Sequence, residues 1–131
     1  MKVMISQPMA SKTEEQIRKE RKSIIEKFNN MHIEVVDTIF TEEAPKDCNQ
    51  GIYYLGKSIS AMKDIDALYM CDGWREARGC RIEYQVAKEY GIKILYNDFF
   101  IFYIFYSFYK FKFSCLFHII SPLSILLYIV F

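Results

Sequence analysis

The chain has 131 residues and a nearly balanced charge, with 17 Lys and Arg side chains against 16 Asp and Glu. This balance, without a basic stripe, argues against a protein that binds nucleic acid. An apolar content of 52% argues against intrinsic disorder. The aromatic side chains are unevenly placed, because residues 99–131 hold 13 of the 22. We therefore predict one small domain over residues 1–97 and an apolar, aromatic tail over residues 98–131.

The four cysteines are scattered along the chain, and none forms a C-x-x-C pair. A structural zinc site needs ligands in local pairs, so we predict no metal site, and we predict no cofactor. The first six residues lack the positive and then apolar order of a signal peptide. These features favour a reducing, cytoplasmic location for the body of the protein.

The body begins with KVMIS at residues 2–6, an apolar run that is typical of a buried parallel strand. The polar segment after it offers two overlapping capping boxes, Ser11 with Glu14 and Thr13 with Gln16. The helix predicted there has one apolar stripe, formed by Ile17, Ile24, Ile25 and Phe28. We expect Asn29 and Asn30 to end this helix, because Asn tolerates the left-handed conformation.

Strands and helices alternate through the rest of the body. Apolar runs predict strands over residues 32–36, 67–71 and 92–96, and apolar stripes predict helices over residues 52–62 and 79–90. The order β-α-β-α-β-α-β is typical of the α/β class. It predicts a small doubly wound parallel sheet of four strands in flavodoxin-like order, with helices on both faces.

Ligands of such sheets bind beyond the carboxyl ends of the strands, where the strand order switches. Three segments are therefore expected in one crevice: residues 6–11, 37–50 and 72–81. Glu83 comes early in the third predicted helix, and Asp72 comes at the end of the strand before it. Glu83 is interpreted either as an acid that stabilises the helix end or as a carboxylate nucleophile. Asp72 is interpreted as its acidic partner or as a turn residue, since Asp-Gly is a common turn pair.

The loop before the third helix carries an unusual set of side chains. Trp74 is the sole tryptophan, and it either packs under the loop or stacks against a planar base. Arg75, Arg78 and Arg81 fall within seven residues, and they are either solvated or available to a phosphate. The sequence contains neither a dinucleotide-binding nor a P-loop motif, so a site of either type has no support.

Two strings, MKVMISQPM at residues 1–9 and CDGWREARGCRIEYQVAKEYGIKIL at residues 71–95, together resemble the small nucleoside 2-deoxyribosyltransferase-like family. The resemblance spans residues 1–97, and Gln7 departs from it because many relatives have Gly there. It implies that Glu83 is the nucleophile. It also implies a substrate site formed by Ser6, Gln7, Pro8, Met9, Gly73, Trp74, Arg78 and Gly79. Relatives carry a further acid six positions before the glutamate, where this chain has Ala77.

The resemblance implies an enzyme that cleaves or transfers the N-glycosidic bond of a nucleoside, a deoxynucleoside or a nucleotide. Its partner would be that small molecule, and a homo-oligomer is implied as well. A second hypothesis is a non-catalytic module on the same fold that binds or senses a nucleotide. A third hypothesis, a membrane-tethered interaction protein, depends on the tail alone.

The tail has three interpretations. Residues 113–131 carry no formal charge, and a helix of this length would span about 28 Å, close to a bilayer core. Lys110 and Lys112 precede the segment, which suits a single C-terminal membrane anchor. The second interpretation is a further strand or helix of the domain. The third, which we favour, is an out-of-frame extension, because Phe, Tyr, Ile, Lys, Leu and Ser dominate what AT-rich stretches encode.

Overall fold

The computed structural model describes residues 1–103, and within residues 1–97 strands and helices alternate as the sequence predicts. The elements are β1 (Lys2–Ser6), α1 (Glu14–Asn30), β2 (Glu34–Val36), α2 (Gln50–Ala61), a 3₁₀ turn (Met62–Asp64), β3 (Ala67–Met70), α3 (Arg78–Glu89) and β4 (Lys93–Leu95). The protein therefore belongs to the α/β class.

The four strands form one parallel sheet in the order β2-β1-β3-β4, which confirms the predicted flavodoxin-like order. Val3 of β1 lies opposite Val35 of β2 on one side and Ala67 of β3 on the other. Tyr69 of β3 in turn lies opposite Leu95 of β4. β2 therefore lies on one side of β1, whereas β3 and β4 lie on the other side, so the direction of strand addition reverses at β1. This reversal opens a crevice at the carboxyl end of β1.

Helices cover both faces of the sheet, as right-handed crossovers in this strand order require. On one face, Phe28 of α1 packs edge-on against Tyr69 at a centroid distance of 5.4 Å. On the other face, side chains of β1 and β3 pack against the second and third helices. That core cluster contains Met4, Met62, Leu68, Met70, Trp74, Cys80 and Ala87. The predicted two-faced arrangement is therefore confirmed.

The structure shows which of the predicted residues begin and end α1. Thr13 caps the helix and forms the full capping box with Gln16, so the second of the two candidate boxes is used. At the other end, the helix ends at Asn30, as the sequence predicts, but the left-handed conformation expected of an Asn is taken by His32, with φ 56°. Because the backbone stays helical through Asn30, the amide of the buried Ile33 can donate a hydrogen bond to the carbonyl oxygen of Phe28.

A second unit begins at Asp98, and its residues 98–103 are helical. Over the described part of the chain, no helix has both the length and the apolar character needed to cross a membrane. The anchor predicted at residues 113–131 lies outside the described residues, as does most of the tail. The three interpretations of the tail stay predictions.

Candidate functional site

A cleft of about 660 Å³ opens at the carboxyl end of β1. Its walls come from the turn after β1, from one side of α2 and from the first turns of α3. The volume falls within the range of about 300–1,000 Å³ that is typical of small-molecule sites. The cleft lies at the switch in strand order, where the sequence places the crevice.

Glu83 lies in this cleft on the buried face of α3. Cys80, Glu83 and Ala87 are spaced three and four residues apart, so they share the face that packs on the sheet. Glu83 therefore occupies a position that the helical pattern would give to an apolar residue. The residue is only 8% exposed. A carboxyl group buried at a cleft is a candidate reactive group.

Two hydroxyl groups hold the Glu83 carboxylate. Ser6, the last residue of β1, donates a hydrogen bond from Oγ to Glu83 Oε2 at 2.5 Å. Burial raises the pKa of Glu83, whereas hydrogen bonds from Ser6 and Ser58 and the positive charge of Arg21 lower it. The carboxylate is thus shielded from water but receives donors that favour its charged form.

The first turn of α3 forms one wall of the cleft. Ala77 occupies the N-cap position, and its side chain makes no capping hydrogen bond. Arg78, Gly79 and Cys80 follow and line the cleft. A Cβ added at Gly79 would meet nothing within 4 Å, so the glycine leaves open space beside the backbone. The exposed amide groups and positive end of a helix favour an anionic group at this wall.

The mouth of the cleft is apolar. Met9, Ile52 and Ile82 come from three different elements and line it, although each is at least partly exposed to water. Exposed apolar side chains around a cleft commonly contact a ligand. An apolar part of a ligand matches this surface.

The segment between β2 and α2 is fixed beside the cleft by Tyr54. Its hydroxyl accepts a hydrogen bond from the Ala44 amide at 3.1 Å and donates one to the Glu42 carbonyl at 3.0 Å. Residues 37–50, which the sequence places in the crevice, contribute Thr38 and Asn49 to its lining. Asn49 caps α2 by accepting from the Ile52 amide.

The predicted carboxylate pair is not formed. Asp72 is exposed and does not line the cleft, because β3 ends at Met70 and a turn closed by the Trp74 amide carries Asp72 away. Among the residues with described positions, Glu83 is the only carboxyl group that lines this cleft.

Three further predicted site residues, Pro8, Gly73 and Trp74, also lie outside the cleft lining. Trp74 is 9% exposed and stacks on Tyr84 at a centroid distance of 4.6 Å, within the core cluster. It therefore packs under its loop, which is the first of the two interpretations that the sequence leaves open. Gly73 takes a φ of 78° in this turn, a conformation that favours glycine. The predicted residues that do line the cleft are Gln7, Met9, Arg78, Gly79 and Glu83, with Ser6 bonded to Glu83.

Arg21 is a contributor that the sequence analysis missed. It is 1% exposed, and its guanidinium donates to Asp37 Oδ1 at 2.8 Å and to Thr38 Oγ1 at 3.0 Å. It also reaches the Ile5 carbonyl oxygen at 3.4 Å. Both Ile5 and Thr38 line the cleft, so Arg21 braces its base from the α1 side. The signal was present in the sequence, since Arg21 falls within the apolar stripe of α1.

Within residues 1–103, no group of three or more His, Cys, Asp or Glu side chains could hold a metal ion. The fold and the cleft define a small doubly wound α/β domain with one buried carboxyl group at its ligand site. The chain belongs to the family described as Domain of unknown function (DUF4406), whose model matches residues 1–96. No curated protein and no solved structure matches the chain significantly.

Proposed function

We propose that the protein is an enzyme that cleaves or transfers the N-glycosidic bond of a nucleoside, a deoxynucleoside or a nucleotide. The single observation that carries the proposal is the buried Glu83 carboxylate, held by Ser6 in a cleft of ligand size. The resemblance of residues 1–9 and 71–95 to the nucleoside 2-deoxyribosyltransferase-like family supports this reaction class.

In the proposed reaction, an oxygen of Glu83 attacks the anomeric carbon of the sugar. The bond between that carbon and the base nitrogen breaks, and the base leaves with the electron pair. The product is a glycosyl ester on Glu83, formed through an oxocarbenium-like transition state. A second base or a water molecule then attacks the same carbon, and Glu83 is released as a carboxylate. The first acceptor gives transfer and the second gives hydrolysis.

The leaving base needs a proton, and the cleft has few side chains that could donate one. Glu83 is the only carboxyl group among the described cleft residues, and the position six residues before it is Ala77. Water entering the cleft is then the proton source for the departing nitrogen. We therefore expect faster cleavage for bases that are already good leaving groups, since these depend least on an acid.

The walls of the cleft suggest how a substrate is held. The apolar mouth formed by Met9, Ile52 and Ile82 suits the base. The first turn of α3, with Arg78 beside it, suits a phosphate if the substrate is a nucleotide, because helix amino ends and guanidinium groups both bind phosphate. A homo-oligomer, which the resemblance also implies, remains part of this proposal.

The lone carboxyl group also favours a second candidate, a module that binds a nucleotide without breaking it. A pair of carboxyl groups is the usual arrangement for glycosidic bond cleavage, and the described cleft has one. Binding that is detected by calorimetry without release of free base would support this candidate.

The decisive experiment is base-release chromatography with a panel of nucleosides and their 5'-monophosphates. It compares the wild-type chain with Glu83→Gln and with a control, Glu89→Gln, which changes an exposed residue of the same helix. We expect the wild type and the control to release base at similar rates. Glu83→Gln should slow release by about a hundredfold or more. Undiminished release by Glu83→Gln would contradict the assigned nucleophile.

A further inference from the structure

Gln7 presents a hydrogen-bond acceptor that has no partner among residues 1–103. The residue follows Ser6 directly, lines the cleft and is 5% exposed. Its Oε1 atom is buried and accepts no hydrogen bond from the described residues. Buried polar atoms are nearly always paired, so an unpaired oxygen on a residue that lines a cleft needs an explanation.

The orientation of the Gln7 amide is fixed by its neighbours. Nε2 donates to the Ile17 carbonyl oxygen at 3.1 Å and to Glu20 Oε2 at 3.0 Å. Both partners are acceptors, so the amide cannot be turned round without placing its oxygen against two other oxygens. Lys12 bonds the same Glu20 oxygen at 2.6 Å and holds that carboxylate in place. Nε2 therefore donates both of its hydrogen bonds to α1, and Oε1 is the atom of the amide that can still accept one.

We infer that Gln7 is a specificity-determining residue, whose Oε1 accepts a hydrogen bond from an N–H or O–H group of the bound nucleoside. This inference rests on the proposed function for the class of ligand. A ligand without the matching donor leaves the oxygen buried and unpaired, and a site of this kind discriminates strongly against such a ligand. The donor belongs either to an exocyclic amino group of the base or to a hydroxyl group of the sugar.

Calorimetry distinguishes these two sources. The probes are 2'-deoxyadenosine and 2'-deoxycytidine, each with an analogue that lacks the exocyclic amino group and one that lacks the 3'-hydroxyl. The full chain carries Glu83→Gln throughout, so that base release does not consume the probe. Affinities are measured with Gln7 present, with Gln7→Met and with a control, Gln50→Met. Gln50 is exposed and lies outside the cleft lining, so the control makes the same chemical change elsewhere.

With Gln7 present, removal of the matching donor should weaken binding by about tenfold in one of the two arms. Gln7→Met should abolish that difference, and Gln50→Met should preserve it. Glu20→Ala serves as a second variant, because Glu20 is an exposed residue and its removal takes away one of the two acceptors that fix the Gln7 amide. It should reduce the same difference.

Equal discrimination with and without Gln7 in both arms would overturn the inference, as would a failure of every probe to bind. Base-release assays of the proteins that retain Glu83 test the proposed function separately. Discrimination that depends on Gln7, without any base release, would leave this inference standing and remove the enzymatic proposal. Base release that depends on Glu83, with unchanged discrimination in Gln7→Met, would support the enzymatic proposal and overturn this inference.

Discussion

The hydroxyl of Ser6 donates to the Glu83 carboxylate at 2.5 Å and joins the end of β1 to α3 across 77 residues of sequence. The bond fixes the side chain of the proposed nucleophile at the switch in strand order. It also offsets part of the effect of burial on the Glu83 carboxyl group. The position and charge of the carboxylate thus depend in part on a residue of the neighbouring strand.

Ser6→Ala should raise the pKa of Glu83 further, because the Ser6 hydrogen bond lowers it in the wild type. The acid limb of the base-release profile should then move to higher pH. Titration of the Glu83 carboxyl carbon by NMR measures the same change without turnover. Ser60→Ala, an exposed change on α2, is the control and should leave the titration unaltered. An unchanged titration in Ser6→Ala would remove Ser6 from its positioning role.

Glu83→Gln should change the pH dependence of folding stability. Burial raises the pKa of Glu83 above its ordinary value of 4.5, so ionisation of this group opposes folding. Its stabilising contribution is full below the unfolded-state pKa and is lost as the pH rises through the folded-state pKa. Relative to the wild type, the variant should therefore gain unfolding free energy over the interval above about pH 4.5, the ordinary pKa of the group. Urea unfolding at several pH values measures this, and a relative loss over that interval would contradict the assignment.

The fold was predictable because the strands and helices carry strong local patterns. Strands such as β1 are short apolar runs, and α1 carries an apolar stripe behind a capping box. Alternation of these elements leaves few parallel arrangements, and right-handed crossovers select among them. The predicted strand ends differ by only one or two residues from those observed, since hydrogen bonding with a neighbour decides where a strand stops.

The site was less predictable because burial of polar groups depends on the tertiary structure. Glu83 was identified through the resemblance and through its place in α3. Arg21 and Ser58 were missed, although both are buried polar residues on helices whose neighbouring stripe is apolar. Trp74 and Asp72 were placed in the crevice because they follow a strand. The tight turn at Gly73 directs Trp74 into the core and Asp72 to the surface, and no local sequence pattern predicts this.

Arg21→Met should destabilise the protein by about 2–3 kcal/mol, because it leaves Asp37, Thr38 and the Ile5 carbonyl without a charged donor. Arg18→Met is the matched control on the same helix. Arg18 pairs with Glu14 at the surface, so its loss should change stability by about 0.5 kcal/mol or less. Urea unfolding measures both. Similar effects of the two substitutions would show that Arg21 does not brace the cleft.

The cysteines should differ strongly in reactivity. Burial raises the pKa of the Cys71 thiol to about 12 and raises the pKa of Cys80 as well, whereas Cys48 is exposed. Because the thiolate is the reactive form, iodoacetamide at about pH 8 should modify Cys48 about a hundredfold or more faster than Cys71, and it should also modify Cys48 faster than Cys80. Mass spectrometry of the peptides identifies the labelled residue. Rapid labelling of Cys71 in the folded protein would contradict its buried position.

The central claim is that Glu83 becomes covalently attached to the sugar, and peptide mass spectrometry after acid quenching tests it most directly. A 2'-deoxy-2'-fluoro-arabinosyl nucleoside is a suitable probe, because the fluorine slows breakdown of the glycosyl-enzyme by destabilising its oxocarbenium-like transition state. We predict a sugar adduct on the peptide that contains Glu83, with release of the base, and no adduct in Glu83→Gln. An adduct on another residue, or one that persists in Glu83→Gln, would contradict the account.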